Sequence, residues 1–141
     1  MSRRPPGVWL RHLALVVRSL DAAEPLYART LGLPSAGRAE LSGEGVRASF
    51  VPVGGSQIEL LEPLGPQGAI GRFLAIRGEA IHHLALEVTD LEAALARARR
   101  AGLRLVDVAP RPGAHGTRIA FVHPRSTCGV LVEFVEPGPV K

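Results

Sequence analysis

Two copies of one segment organise this chain: His12-Leu13-Ala14-Leu15-Val16-Val17-Arg18-Ser19-Leu20-Asp21-Ala22-Ala23 and His83-Leu84-Ala85-Leu86-Glu87-Val88-Thr89-Asp90-Leu91-Glu92-Ala93-Ala94. They lie 71 residues apart and are identical at 8 of 12 positions. A second correspondence closes each half at an offset of 74, where Ile58-Glu59-Leu60-Leu61-Glu62-Pro63 matches Val132-Glu133-Phe134-Val135-Glu136-Pro137. A repeat of this length predicts a duplicated small module.

The first half predicts one helix and four strands. A short apolar strand covers 10–17, and Ser19 is suited to cap a helix that ends at Gly32. Pro25 is placed early in that helix, where a missing N–H costs least. A hairpin follows over 35–41 and 45–53, and the last strand covers 56–62.

The second half predicts the same plan after a linker with a short helix near 70–77. A strand covers 81–88, Thr89 or Asp90 caps a helix that stops at Gly102, and strands follow at 103–108, 117–123 and 129–136. The fold class is therefore α+β, with two paired βαβββ modules forming a curved mixed sheet around a cleft. We expect a single domain over 8–136, with modules at about 8–64 and 79–136 and tails at 1–7 and 137–141.

Composition bounds the possible functions. The 141 residues are 46% apolar with a net charge of +4, and no apolar run approaches the roughly 20 residues that span a bilayer. The arginines are scattered and aromatic residues are few, so nucleic-acid binding has little support, whereas a small anionic substrate fits. The single cysteine, Cys128, cannot form an internal disulfide and is expected to fill apolar space. These features predict a cytoplasmic protein with no membrane partner.

Four ionisable residues fall inside strands that are otherwise apolar: His12, Glu59, His83 and Glu133. Each one alone could be a core histidine with a hydrogen-bond partner or a solvent-facing glutamate. The repeat of both residue types in one register favours a shared task. If a pseudo-twofold axis relates the two pairs, they converge into an N2O2 ligand set for a divalent transition metal, with positions left open for substrate oxygens.

Other polar residues have simpler interpretations. His82 should point away from His83, on the opposite face of its strand. His123 precedes Pro124 and is read as structural. His115 and Gly116 lie in a Gly-rich loop and are candidates for substrate contact, with an ordinary turn as the alternative.

The sequence resembles the vicinal-oxygen-chelate superfamily, and within it the methylmalonyl-CoA epimerase family most closely. The resemblance spans about Leu10 to Glu136 and is carried by these stretches: His12-Leu13-Ala14-Leu15-Val16-Val17, Ile58-Glu59-Leu60-Leu61-Glu62-Pro63-Leu64-Gly65, Ile81-His82-His83-Leu84-Ala85-Leu86-Glu87-Val88, Gly113-Ala114-His115-Gly116, Phe121-Val122-His123-Pro124 and Gly129-Val130-Leu131-Val132-Glu133.

The resemblance implies that His12, Glu59, His83 and Glu133 bind a divalent metal, preferably Co2+, with Mn2+, Ni2+, Zn2+ or Fe2+ as alternatives. It implies epimerisation at C2 of (R)- and (S)-methylmalonyl-CoA, a CoA thioester, and a homodimer. Glu133 is one expected acid/base. Some relatives carry a second glutamate at the position of Ala48, so Glu59 is the remaining candidate for the other role.

Two alternatives stay open from the sequence. A glyoxalase-type lyase or isomerase would use the same scaffold on a glutathione-like hemithioacetal. A non-catalytic binding protein of the antibiotic-resistance type would not need the four ligands, and their presence counts against it.

Overall fold

The computed structural model describes residues 7–35 and 37–139. Residues 1–6 of the predicted N-terminal tail and 140–141 of the predicted C-terminal tail lie outside the described residues. Residues 137–139 have no regular secondary structure. The single domain expected over 8–136 stays a prediction.

Eight strands and three α-helices make up the described chain. The strands are β1 Trp9–Val16, β2 Arg38–Leu41, β3 Val46–Val53, β4 Ser56–Pro63, β5 Ala80–Glu87, β6 Arg111–Pro112, β7 Arg118–Val122 and β8 Leu131–Glu136. The helices are α1 Leu20–Pro25, α2 Gly68–Arg77 and α3 Leu91–Arg100. The βαβββ order occurs twice, which confirms the α+β class with a mixed sheet.

The chain forms two compact units, residues 12–82 and residues 83–139 with 7–11. In the first unit the strands lie in the order β2-β3-β4-β1, with β1 parallel to β4 and the other neighbours antiparallel. In the second unit the order is β5-β8-β7-β6, with β5 parallel to β8 and the other neighbours antiparallel. The two modules therefore repeat both order and strand direction.

The four strands of each unit have two faces. The helix packs on one, called the helix face, and the His–Glu pair lies on the other, called the ligand face. On the helix face of the first unit, Val17, Leu20, Val51 and Leu60 form a buried cluster, whereas Ala14, Val46, Ala48 and Leu61 cluster on the ligand face. The second unit matches this arrangement, with Val88, Leu91, Ala94, Leu95 and Ala120 on the helix face and Ala85, Ile119 and Val135 on the ligand face. The alternation follows from the two-residue period of a strand.

Both predicted helix caps are present. The Ser19 hydroxyl accepts the Ala22 N–H at 3.3 Å, and Asp90, rather than Thr89, accepts the Ala93 N–H at 3.0 Å. A second carboxylate reaches each helix start from the last strand of its module. Glu62 accepts the Leu20 N–H and Glu136 accepts the Leu91 N–H. The repeated Glu-Pro motif thus satisfies N–H groups that lack partners within a helix.

The first helix departs from prediction at Pro25, which is the sixth and last α-helical residue rather than an early one. Proline has no N–H to donate to the carbonyl four residues before it. The chain continues as a π-helix over Leu26–Thr30 and reaches a left-handed Gly32, so the predicted end is confirmed.

The strand predicted over 103–108 is wrong. Only Leu105 bridges to Val122, and the first strand after α3 is the two-residue β6. The N–H groups of Val106 and Asp107 share one acceptor, the Phe121 carbonyl, so the backbone bends there instead of extending along a partner strand. The Asp107 carboxylate then accepts the Phe121 N–H.

None of the helices in the described residues has the length and apolar character needed to cross a membrane.

Core packing in the first module predicts a contrast between two leucines of one helical segment. Leu20→Ala should lower the free energy of unfolding by about 2–5 kcal/mol, because Leu20 is fully buried. Leu26→Ala should cost less than about 1 kcal/mol, since Leu26 is 54% exposed. Urea unfolding followed by circular dichroism measures both. Equal losses would contradict the assigned packing.

Candidate active site

The His–Glu pair of the first unit is built by the parallel pairing of β1 and β4. Ala14 lies opposite Glu59 and His12 lies opposite Gln57, so His12 and Glu59 occupy the same face two register positions apart. His12 Nδ1 is 3.4 Å from Glu59 Oε1. His12 is buried and Glu59 is partly buried.

The second unit repeats this register. His83 lies opposite Leu131 and Ala85 lies opposite Glu133 in the pairing of β5 with β8. His83 Nε2 is 2.9 Å from Glu133 Oε2, and both residues are buried. The sequence-predicted partners are therefore brought together within each unit.

These donors suit a divalent metal. Each unit carries one imidazole–carboxylate pair of this kind, His12 with Glu59 in the first unit and His83 with Glu133 in the second. Burial of imidazole and carboxylate groups is costly unless they are paired or coordinated. Neighbouring imidazole and carboxylate groups are also ligands that a divalent transition metal binds.

Gln57 contacts the His–Glu pair of the first unit and was not singled out from the sequence. Its side-chain amide donates to Glu59 Oε1 at 3.1 Å, from the position opposite His12. In the second module Leu131 takes the equivalent place opposite His83 and has no polar group to offer. The two-residue spacing of Gln57 and Glu59 on one face was the signal that could have identified it.

An aromatic residue flanks each pair. Phe50 lies opposite Glu59, and Phe121 lies opposite Glu133. The Phe121 ring meets the His83 ring edge-on at 5.5 Å. These rings give the ligand face an apolar lining beside the polar groups.

The loop that contains His115 and Gly116 is tightly shaped. His115 is exposed and adopts a left-handed backbone with φ of 57°, and Gly116 follows with φ of 73°. A Cβ on Gly113 would lie 2.6 Å from side-chain atoms of both Thr117 and Ile119, which requires glycine there. Contact of His115 and Gly116 with a substrate stays a prediction.

Four other residues discussed from the sequence, His82, His123, Cys128 and Ala48, have the following surroundings. His82 packs edge-on against Phe73 of α2, at 4.9 Å between rings. His123 Nδ1 accepts the Arg125 N–H at 3.1 Å. The expectation for Cys128 is wrong, because it is exposed in a left-handed turn after a short 3₁₀ helix. Ala48 is fully buried on the ligand face, where its methyl group completes the apolar cluster.

Comparison with known proteins places this geometry in a family. The model of the Glyoxalase/Bleomycin resistance protein/Dioxygenase superfamily matches residues 11–121. The chain belongs to this superfamily. It is 38% identical over 126 residues to the ethylmalonyl-CoA/methylmalonyl-CoA epimerase of Cereibacter sphaeroides, covering 88% of this chain and 94% of that one.

Solved structures agree with the sequence comparison. A hypothetical protein from Bacillus halodurans C-125 has a TM-score of 0.90 and 38% identity, covering 95% of this chain and 97% of that chain. A methylmalonyl-CoA epimerase in complex with methylmalonyl-CoA and NH4+ has a TM-score of 0.84 and 33% identity, covering 94% and 96%. The family resemblance carried by the sequence stretches between Leu10 and Glu136 is thus confirmed.

The loop geometry predicts that Gly113→Ala is destabilising. The added methyl group must displace the Thr117 and Ile119 side chains, so we expect a loss of about 1–3 kcal/mol in the free energy of unfolding. Gly43→Ala is the matched control, because no atom lies within 4 Å of the added carbon, and it should change stability by less than about 1 kcal/mol. Thermal unfolding of the two variants decides; an unchanged midpoint for Gly113→Ala contradicts the close packing.

Proposed function

We propose that this protein is a metal-dependent epimerase that interconverts (R)- and (S)-methylmalonyl-CoA. The observation that carries the proposal is the His–Glu pair in each unit, set in the same strand register. The proposal is supported by the similarity to a methylmalonyl-CoA epimerase whose structure was solved with methylmalonyl-CoA. This similarity covers 94% of the present chain.

We propose that His12, Glu59, His83 and Glu133 hold one divalent cation together. Donors on one such metal lie about 2.0–2.2 Å from it and hence roughly 3–3.5 Å from each other. The 3.4 Å and 2.9 Å separations within the two pairs fit this requirement. Cobalt is the preferred ion, with manganese, nickel, zinc and iron as alternatives that the same donors suit.

The chemistry required is removal and return of the proton at C2. That carbon lies between a thioester carbonyl and a carboxylate, so the electron pair of the broken C–H bond spreads onto oxygen. A bound cation supplies positive charge that favours this enolate-like anion. Glu133 takes the proton on one face, and return of a proton to the opposite face inverts the centre.

The second acid/base role is assigned to Glu59. Ala48 stands where some relatives have a glutamate, and its side chain cannot carry a proton. Glu59 Oε1 accepts the Gln57 amide N–H and lies 3.4 Å from His12, which leaves Oε2 as the atom for proton transfer. Gln57 therefore orients the carboxylate.

The partner is a CoA thioester, and its phosphates and carboxylate suit the net charge of +4. A cytoplasmic location and a homodimer remain predictions from the sequence.

Metal binding gives the first test. Calorimetric titration with Co2+ should show binding to the wild-type protein and its loss in His83→Ala. Gln57→Leu, which copies Leu131, should weaken affinity about tenfold, as removal of a group that orients a ligand does. His123→Ala is the control and should bind normally, because His123 Nδ1 accepts a backbone N–H instead. Unchanged binding in His83→Ala would reject the site.

Exchange of the C2 proton gives the second test. Proton NMR in D2O should show that the wild-type protein exchanges the C2 hydrogen of methylmalonyl-CoA. At saturating Co2+, Glu133→Gln should slow the exchange by about a hundredfold or more, the range expected for a general acid/base.

Glu40→Gln serves as the control because Glu40 lies exposed on β2, and its rate should stay near that of the wild type. Near-normal exchange in both Glu133→Gln and Glu59→Gln would end the assignment of these residues. Turnover of a glutathione hemithioacetal without exchange at C2 would favour the glyoxalase-type alternative.

A further inference from the structure

Arg111 lies on the ligand face of the second unit, at the edge strand β6. It is paired with Ile119, which packs with Ala85 and Phe121 on the same face as His83 and Glu133. Its guanidinium carbon stands 5.4 Å from the centre of the Phe121 ring, and that ring meets the ring of His83 at 5.5 Å. One aromatic side chain therefore separates this arginine from a proposed metal ligand.

The guanidinium is held from one edge. Arg111 Nε donates to Asp107 Oδ1 at 3.0 Å, and Asp107 Oδ2 accepts the Phe121 N–H at 2.8 Å. The carboxylate is thereby fixed to β7, and the arginine lies over the aromatic ring, which favours a cation. Among the described residues no acceptor contacts the two η-amino groups of Arg111, and its side chain is 50% exposed.

The fold itself does not require a cation at this position. In the first module Ala39 occupies the equivalent place, opposite Ala48 in the pairing of β2 with β3, as Arg111 lies opposite Ile119. Arg118, the next arginine along the chain, is used differently. Hydrogen bonds to Glu92 and Glu136 hold it on the other side of β7 and raise the pKa of its guanidinium above the usual value.

We infer that Arg111 binds an oxyanion of the acyl-CoA substrate, either its carboxylate or a phosphate. This inference rests on the proposed epimerase function and adds a specificity-determining residue to it. Two parallel N–H groups on a planar fork match the two oxygens of a carboxylate or phosphate, and lysine cannot reproduce that geometry. The pairing through Nε leaves this fork directed away from Asp107.

The test compares steady-state kinetics of C2 exchange in R111Q and R100Q. R100Q removes the same charge from an exposed residue in the last turn of α3, on the helix face. R111Q should raise KM for methylmalonyl-CoA about tenfold or more with kcat within a few-fold, the effect of losing one charge-assisted hydrogen bond. R100Q should keep both constants, and R111K should recover part of the loss because it restores charge without the fork.

A second substrate separates the two sources of the oxyanion. The methylmalonyl thioester of N-acetylcysteamine has the carboxylate but lacks the phosphates of CoA. If the KM effect of R111Q persists with this thioester, the carboxylate is bound; if it disappears, a phosphate is bound.

The outcomes distinguish this inference from the function on which it rests. A wild-type protein without C2 exchange contradicts the epimerase. If the wild type is active and both R111Q and R111K keep its KM, the role of Arg111 is rejected. The epimerase function is not affected by that outcome. Should R111Q fail to fold, R111K still decides, with a several-fold rise in KM expected.

Discussion

The parallel pairing between the first and last strand of each module is the constraint on which the site depends. Because side chains alternate along a strand, a shift of one register position would move the glutamate to the helix face and separate it from the histidine. The observed register places His12 with Glu59, and His83 with Glu133, on one face in both units. The apolar clusters on the two faces hold that register, since slippage would expose residues such as Leu60.

The repeat contains two pairs of glutamates whose contacts differ. Glu62 and Glu136 point to the helix face and accept the first N–H of a helix, which is a structural task. Glu59 and Glu133 point to the ligand face and contact histidine. A repeated glutamate alone is therefore weak support for a metal site. The histidine on the same face distinguishes Glu59 and Glu133 from the two glutamates that cap helices.

The sequence was sufficient for features set by local patterns. Strand alternation and the Ser19 and Asp90 caps follow from spacing along the chain, and all are present in the structure. The repeat singled out the His–Glu partners, but the parallel register that brings them together is a long-range feature of the sheet. The segment 103–108 was mistaken for a strand because its apolar pattern is strand-like, whereas tertiary hydrogen bonds from Phe121 bend it. Arg111 could not be singled out among the arginines, because its surroundings depend on how β6 pairs with β7 and on the ring of Phe121.

The Gln57 amide on Glu59 has no counterpart beside Glu133, where Leu131 stands. Gene duplication gives two equal halves, and this difference breaks their equivalence at the point where chirality matters. If Glu59 and Glu133 act as proposed, on opposite faces of a planar carbanion, each epimer meets a carboxylate with different surroundings. By microscopic reversibility, exchanging amide for isobutyl at this position changes kcat/KM of the forward and reverse reactions by the same factor and leaves the equilibrium untouched.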